Sequence, residues 1–135
     1  MTADDRQPRP RMSEARTTFL GALLTTLGPI SMAIYTPAMP ELVRAFGTTE
    51  AAIKLSLSLF FGGFALAQLV AGPLSDALGR KAATLIFLAI YLAGSVLAAI
   101  APSVEFILAA RLIQGIGASV GVVVGRAIVR DLYAG

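Results

Sequence analysis

The sequence contains no cysteine and no histidine. Disulfide bonds, thiol nucleophiles, metal sites built from these residues and acid–base catalysis by histidine are therefore excluded. Charged residues are also scarce, at 14% of the chain, whereas a soluble domain usually carries about 25%. The chain has no glycine-rich loop of the kind that cradles phosphate, so it offers no ATPase site. These absences argue against an enzyme, and we expect no cofactor and no bound metal.

Apolar residues, by contrast, make up 56% of the chain, and its mean hydropathy is +0.78. This composition indicates that the protein is solvated by lipid. The net charge is +3 and the isoelectric point is about 9.8, values that in a soluble protein would suggest nucleic acid. Here the basic residues lie between hydrophobic runs, and no basic patch is interleaved with aromatic residues. We therefore expect a membrane protein that binds no nucleic acid.

Four hydrophobic runs are each long enough to cross the ~30 Å hydrocarbon core of a bilayer as a helix. The predicted fold is all-α, a polytopic transmembrane helix bundle of about four spans over residues 19–135. A polar tail over residues 1–18 shows no apolar periodicity and is predicted to be disordered. The predicted spans cover residues 19–38, 51–74, 82–101 and 105–129.

Three prolines, two inside the first run and one just beyond it, bear on its interpretation. A secretory signal peptide is the competing reading, but the run ends in Pro37-Ala-Met-Pro40 and not at a small-x-small cleavage site. Pro29 is predicted to kink the helix, because its nitrogen donates no hydrogen bond. We therefore expect a bent first membrane span.

The basic residues are distributed asymmetrically between the two sides of the predicted bundle. The tail, the connection at 75–81 and the end of the fourth run hold Arg6, Arg9, Arg11, Arg16, Arg80, Lys81, Arg126 and Arg130. The connections on the opposite side hold only Arg44 and Lys54. The positive-inside rule then predicts that the N-terminus, the connection at 75–81 and the C-terminus are cytoplasmic.

A tight, charged connection joins spans two and three. It presents a glycine able to adopt left-handed dihedral angles, together with one acid and two bases, and its Asp76 and Arg80 are spaced i, i+4. On physical grounds alone, a turn with topology-setting charges explains the segment equally well. The spacing resembles the cytoplasmic signature G-x-L-x-D-x-x-G-R-K of the major facilitator superfamily, and the residues that match are Gly72, Leu74, Asp76, Gly79, Arg80 and Lys81.

The fourth run carries an arginine inside a predicted membrane helix. A charge near the bilayer centre costs about 2.5 kcal/mol or more, so Arg111 should face a watery cavity or an acid. The alternative is that Arg111 reaches outward to the headgroups, since it lies roughly 9 Å of helix beyond Glu105. The segment from Leu108 to Ser119, which includes Gln114, resembles the superfamily pattern l-x-x-R-x-x-q-G-x-g-a-a of proton-driven drug exporters.

Two further features concern helix faces. Gly117, Gly121 and Gly125 recur at four-residue spacing, a small-residue stripe that lets another membrane helix approach closely. Gln68 shares a face of span two with two phenylalanines, and that face could contact an amphipathic substrate. Contact with lipid or another helix is the alternative for the phenylalanines, Phe61 and Phe64.

The closing segment from Arg126 to Tyr133 and the first-span segment from Tyr35 to Pro40 resemble the Bcr/CflA branch of the superfamily, which comprises drug:proton antiporters. The resemblance implies a secondary active transporter of the bacterial inner membrane. Its implied partners are small amphipathic or hydrophobic drug-like molecules, protons and the lipid bilayer. It further implies that Asp76 stabilises the outward-open state, and that Arg80 bridges it to an acid at the end of span four, here Asp131. One departure is Ala33, which stands where the branch commonly carries an aspartate, so the coupling carboxylate is missing from spans one to four.

From the residues and this resemblance together, we expect the transport and proton pathway to include Tyr35, Gln68, Arg111 and Gln114. Superfamily transporters have about twelve spans in two halves with the substrate site between them. We therefore expect a truncated or partial transporter that lacks its C-terminal half. A non-transporting membrane subunit or a defective fragment fits the length equally well. A small four-span exporter would also have this length, but its mechanism needs a carboxylate in the first span, and residues 19–38 contain none.

Overall fold

The computed structural model describes the backbone of residues 13–133 and the side chains of residues 13–130. Its helices are α1 (Glu14–Thr25), α2 (Leu27–Phe46), α3 (Glu50–Leu78), α4 (Arg80–Ala99), α5 (Val104–Ala118) and α6 (Val120–Tyr133). The described part contains no β-strand. Four helical stretches are long and apolar enough to cross a membrane: Glu14–Phe46, Glu50–Leu78, Arg80–Ala99 and Val104–Arg130, which we number spans one to four. The predicted all-α bundle of about four spans is confirmed.

Span one consists of α1 and α2, which are separated only by Thr26. It begins at Glu14, within the predicted tail, because the hydroxyl of Ser13 caps it by accepting a hydrogen bond from the backbone N–H of Arg16 at 3.4 Å. The helix is interrupted at Thr26, close to Pro29, which cannot donate to the carbonyl of Thr25. The hydroxyls of Thr25 and Thr26 donate to carbonyls in the preceding turn at 2.8 and 2.7 Å. The interruption lies at the turn where Pro29 was predicted to kink the helix, and the kink itself remains a prediction.

The connections between the spans are shorter than those predicted from the bounds of the hydrophobic runs. Span one continues through both later prolines to Phe46 and ends at Gly47, whose φ of 56° is left-handed. Spans two and three are separated by Gly79 alone, with a φ of 86°, and the flanking residues of the expected 75–81 connection are helical. Before span four, the hydroxyl of Ser103 accepts a hydrogen bond from the N–H of Phe106 at 3.4 Å. Such short connections make consecutive spans antiparallel.

Span four occupies the centre of the bundle. Its first half, α5, packs against both α3 and α4, and its second half, α6, packs along α1. Glycines allow these approaches, because a Cβ atom on Gly115 would overlap the backbone of α3, one on Gly117 that of α4, and one on Gly121 that of α1. The stripe predicted from sequence thus faces two different helices. The helices α3, α4 and α6 also share an apolar cluster of Ala67, Ala71, Phe87, Val120 and Val124.

Candidate functional site

Polar side chains from spans one, three and four meet around one open cavity of about 370 Å³. We call it the Arg111 cavity. Its polar wall is formed by Ser31, Tyr35, Tyr91, Ser95, Arg111 and Gln114, and its apolar wall includes Ile34, Ala98 and Ile107. It lies in the half of the bundle nearest the connections at 47–49 and 100–103, because the ends of α2 and α4 and the beginning of α5 enclose it. The bundle therefore brings polar groups together inside a predominantly apolar structure.

A chain of hydrogen bonds positions the arginine. Arg111 is buried, with 3% of its surface exposed. Its Nη1 donates to Oε1 of Gln114 at 2.7 Å, and Nε2 of Gln114 donates to Oγ of Ser95 at 2.8 Å. The hydroxyl of Ser95 donates in turn to the carbonyl of Tyr91 at 2.9 Å. Residues of α5 and α4 thus fix the orientation of the guanidinium, and Arg111 does not extend to the headgroups as the alternative required.

Two aromatic rings flank the same guanidinium. Its central carbon lies 4.1 Å from the ring centroid of Tyr35 and 4.6 Å from that of Phe60. Such cation–π contacts contribute about 0.5–2 kcal/mol each, which offsets part of the cost of burying a charge in a membrane helix. Nη2 approaches the sulfur of Met32 at 3.9 Å, and Nε has no hydrogen-bond partner among the described residues. The positive charge is therefore held by rings and neutral groups.

The tyrosines are themselves anchored between spans. The hydroxyl of Tyr35 lies 2.6 Å from Oγ of Ser56, which donates to the carbonyl of Ile53, so the tyrosine is the donor to the serine. The hydroxyl of Tyr91 on α4 is hydrogen-bonded to Ser31 on α2. These bonds connect span one to spans two and three across the cavity. The site is therefore largely pre-formed by contacts between helices.

Of the four residues predicted for the transport pathway, the structure brings Tyr35, Arg111 and Gln114 together and places Gln68 elsewhere. Gln68 lies on α3 roughly 12 Å of helix beyond Phe60, toward the other end of the bundle. There it lines a second cavity of about 250 Å³, which we call the Asp76 cavity, formed chiefly by Gln68, Gly72, Ser75, Asp76, Arg126 and Arg130. Phe61 is exposed on the outside of the bundle.

The residues of the charged motif between spans two and three lie in different environments. Gly72 and Asp76 line the Asp76 cavity, whereas Leu74 packs against the apolar cluster of α3, α4 and α6. Gly79 makes the turn, Arg80 is half-buried and Lys81 is exposed. The side chain of Asp131 lies outside the described residues, so its bridge to Arg80 remains a prediction.

Several residues of the Arg111 cavity were missed by sequence reasoning. Ser31, Ser56, Tyr91 and Ser95 all belong to its hydrogen-bond network. The available signal was the i, i+4 spacing of Tyr91 and Ser95 within an otherwise apolar span, which places both on one helix face. Ala33, at the position of the family aspartate, is exposed and does not line the cavity.

Comparison with known proteins gives consistent matches over most of the chain. A family model described as the Major Facilitator Superfamily matches residues 21–135. An uncharacterized MFS-type transporter, YdgK, of Bacillus subtilis (strain 168) is 38% identical over 117 residues, which are 87% of this chain and 29% of that protein. A chloramphenicol resistance protein of Pseudomonas aeruginosa is 38% identical over 125 residues, covering 93% of this chain and 30% of the relative. Multidrug resistance protein D of Escherichia coli (strain K12) is 32% identical over 111 residues, with coverages of 82% and 28%.

The chain therefore spans less than a third of the length of these curated relatives. No solved structure gives a significant match.

Proposed function

Because the chain belongs to the major facilitator superfamily of membrane transporters, we propose that it forms the N-terminal part of a drug:proton antiporter. The complete transporter would export small amphipathic or hydrophobic molecules across the bacterial inner membrane. Transporters of this kind bind substrate between two halves, and the Arg111 cavity would supply one wall of that site. The C-terminal half of the complete transporter would supply the other wall.

The buried position of Arg111 is the observation that carries this proposal. An arginine at the centre of a membrane helix costs about 2.5–3.5 kcal/mol on insertion scales, and Arg111 lies roughly 10 Å inside the start of span four. Here its guanidinium is oriented by Gln114 and by rings from two other spans, and it lies at the wall of a cavity rather than in a sealed core. Intramembrane charges placed in this way mark substrate or ion pathways. The names of two relatives, chloramphenicol resistance protein and multidrug resistance protein D, support a drug-like substrate.

Orientation and gating follow from the same proposal. The excess of basic residues in the tail and at 75–81 supports a cytoplasmic N-terminus, which would put the Arg111 cavity in the outer half of the membrane. The Asp76 cavity would then lie at the cytoplasmic end. Its acid and arginines, from α3 and α6, are suited to a gate whose ion pairs differ between inward-open and outward-open states.

A chimera tests the proposed function. Residues 1–135 would be joined to the part of the Pseudomonas aeruginosa chloramphenicol resistance protein that follows its matched segment, and expressed in an exporter-deficient strain. Drug efflux would be measured for chloramphenicol, a neutral drug, and fusidic acid, an amphipathic carboxylate. We expect the chimera to export at least one of them, and Arg111→Ala to lower that efflux about tenfold or more, equivalent to 1.4 kcal/mol of activation free energy.

The matched control is Arg44→Ala, which removes an arginine whose side chain is 76% exposed. It should leave efflux unchanged. If Arg111→Ala exports as well as the parent chimera, the Arg111 cavity is not the transport site. If its efflux falls only in proportion to the amount of protein in the membrane, Arg111 serves folding instead.

A further inference from the structure

The charge of Arg111 has no carboxylate partner in the described part of the chain. Two ion pairs there are exposed and lie at helix ends: Arg44 with Glu41, and Lys54 with Glu50. All described acidic residues are exposed, and they are Glu14, Glu41, Glu50, Asp76 and Glu105. A buried charge is stable when it is paired, and here the four spans provide only neutral hydrogen-bond partners and rings.

The hydrogen-bonding capacity of the guanidinium is also incompletely used. Nη1 donates to the neutral amide oxygen of Gln114, Nη2 faces the weak acceptor sulfur of Met32, and Nε has no partner. A guanidinium presents its donors in a planar fork that fits a carboxylate with two parallel bonds. The unmet donors of Arg111 therefore match the geometry of an anion.

The cavity beside Arg111 has room for more than the anion itself. At about 370 Å³ it far exceeds the ~30 Å³ that a water molecule occupies in the liquid. Beyond the polar groups, its wall is formed by aliphatic side chains that include Ile34, Ala98 and Ile107. An occupant that satisfies both parts of the wall has a charged group at one end and an apolar body at the other.

Building on the proposed function, we propose that the Arg111 cavity binds amphipathic organic anions, with the substrate carboxylate on the Arg111 guanidinium and its apolar body against the aliphatic wall. The substrate thereby supplies the counter-charge that the spans lack. This deepens the export proposal by naming a substrate class, and it predicts discrimination against cations of the same size and shape.

The test uses three probes that share one ring and differ only in charge: cyclohexanecarboxylate, cyclohexylmethanol and cyclohexylmethylammonium. The chain would be reconstituted in vesicles of zwitterionic phosphatidylcholine, so that lipid charge does not bias binding. Tyrosine fluorescence reports occupancy, because the protein has no tryptophan and two of its three tyrosines, Tyr35 and Tyr91, line the cavity. None of the probes contains an aromatic group that would interfere.

We expect the carboxylate to bind about tenfold or more tightly than the alcohol, and the ammonium to bind least. Arg111→Gln should reduce the preference to within about threefold, whereas Arg111→Lys should keep the carboxylate ahead. The control Arg44→Gln removes an exposed positive charge and should leave the ranking unchanged.

Equal binding of carboxylate and alcohol, tighter binding of the ammonium, or no fluorescence response to any probe overturns the proposal. So does a carboxylate preference that survives Arg111→Gln. If Arg111→Gln does not fold, the wild-type ranking and Arg111→Lys decide. If the binding experiment fails, the export proposal still stands, because efflux of chloramphenicol by the chimera tests export independently. Loss of efflux with the carboxylate preference intact rejects export alone.

Discussion

Replacing Gly121 with alanine should loosen the contact between spans one and four. A Cβ atom at this position would overlap the carbonyl of Leu24 and lie 2.6 Å from its carbon and 3.0 Å from the nitrogen of Thr25. Both are backbone atoms of α1, so no flexible side chain can move aside. An ordinary contact begins at 3.4 Å, so the two backbones must separate by at least 0.8 Å.

The size of the effect follows from two opposing contributions. Forcing an extra methyl group into a packed interface costs about 1–3 kcal/mol. Exchanging glycine for alanine within a helix gains up to about 1 kcal/mol of intrinsic propensity. Gly62→Ala on α3 is the matched control, because a Cβ atom there meets nothing within 4 Å. The difference between the two variants isolates the overlap, and we expect Gly121→Ala to be about 1–3 kcal/mol less stable than Gly62→Ala.

Thermal unfolding in detergent measures this difference. The natural sequence has no cysteine, so Ala83→Cys, at a position 1% exposed, provides a single thiol that reacts with a fluorogenic dye only on unfolding. At about 4 °C per kcal/mol for a chain of this size, Gly121→Ala should melt roughly 4–12 °C below Gly62→Ala in the same background. Equal melting temperatures, or a higher one for Gly121→Ala, would show that α1 and α6 are not packed backbone to backbone.

Three further predictions concern topology, gating and the isolated chain. Reporter fusions or cysteine labelling should place positions 78 and 135 in the cytoplasm and positions 45 and 103 outside; access to position 78 from the periplasm would reverse the orientation. In the chimera, Asp76→Asn and Arg80→Ala should each impair efflux, and Arg80→Ala should be non-additive with Asp131→Ala in a double-mutant cycle; simple additivity would mean that Asp131 is not the partner. Expression of the isolated 135-residue chain should leave drug sensitivity unchanged, because a midplane site needs walls from both halves. Proton-gradient-dependent efflux by this chain alone would instead favour a self-associating four-span exporter.

The number of spans could be predicted from sequence because each hydrophobic run is by itself apolar and long enough to cross the bilayer. The helix ends were less accessible, and span one shows why. Pro37 and Pro40 suggested an end near residue 38, yet α2 continues to Phe46, since a membrane helix tolerates proline where neighbouring groups compensate for the lost bond. The actual end is set by Gly47 in a left-handed conformation, a local signal that the hydrophobic pattern does not contain.

The Arg111 cavity could be predicted only in part, because a membrane charge is conspicuous and its neutral neighbours are not. Arg111 and Gln114 could be identified within one helix. Ser95 and Tyr91 join them only because α4 and α5 approach closely, where a Cβ atom on Gly94 would lie 2.7 Å from the backbone nitrogen of Gln114. Such a register between helices is decided by packing in three dimensions. Gln68 was assigned to the same pathway as Arg111 because the sequence pattern shows which face of α3 a residue occupies but not how deep in the bundle it lies. The structure places Gln68 at the Asp76 cavity.

Substrate protection of a cysteine in the Arg111 cavity tests the central claim most directly. In the efflux-competent chimera, Ala98→Cys places a thiol on the cavity wall, and Thr48→Cys places one in the connection between spans one and two. The rate of labelling by N-ethylmaleimide would be measured with and without saturating exported drug. If the cavity is the transport site, the drug slows labelling at position 98 and leaves position 48 unaffected. Unchanged labelling at position 98 during active efflux would contradict the account.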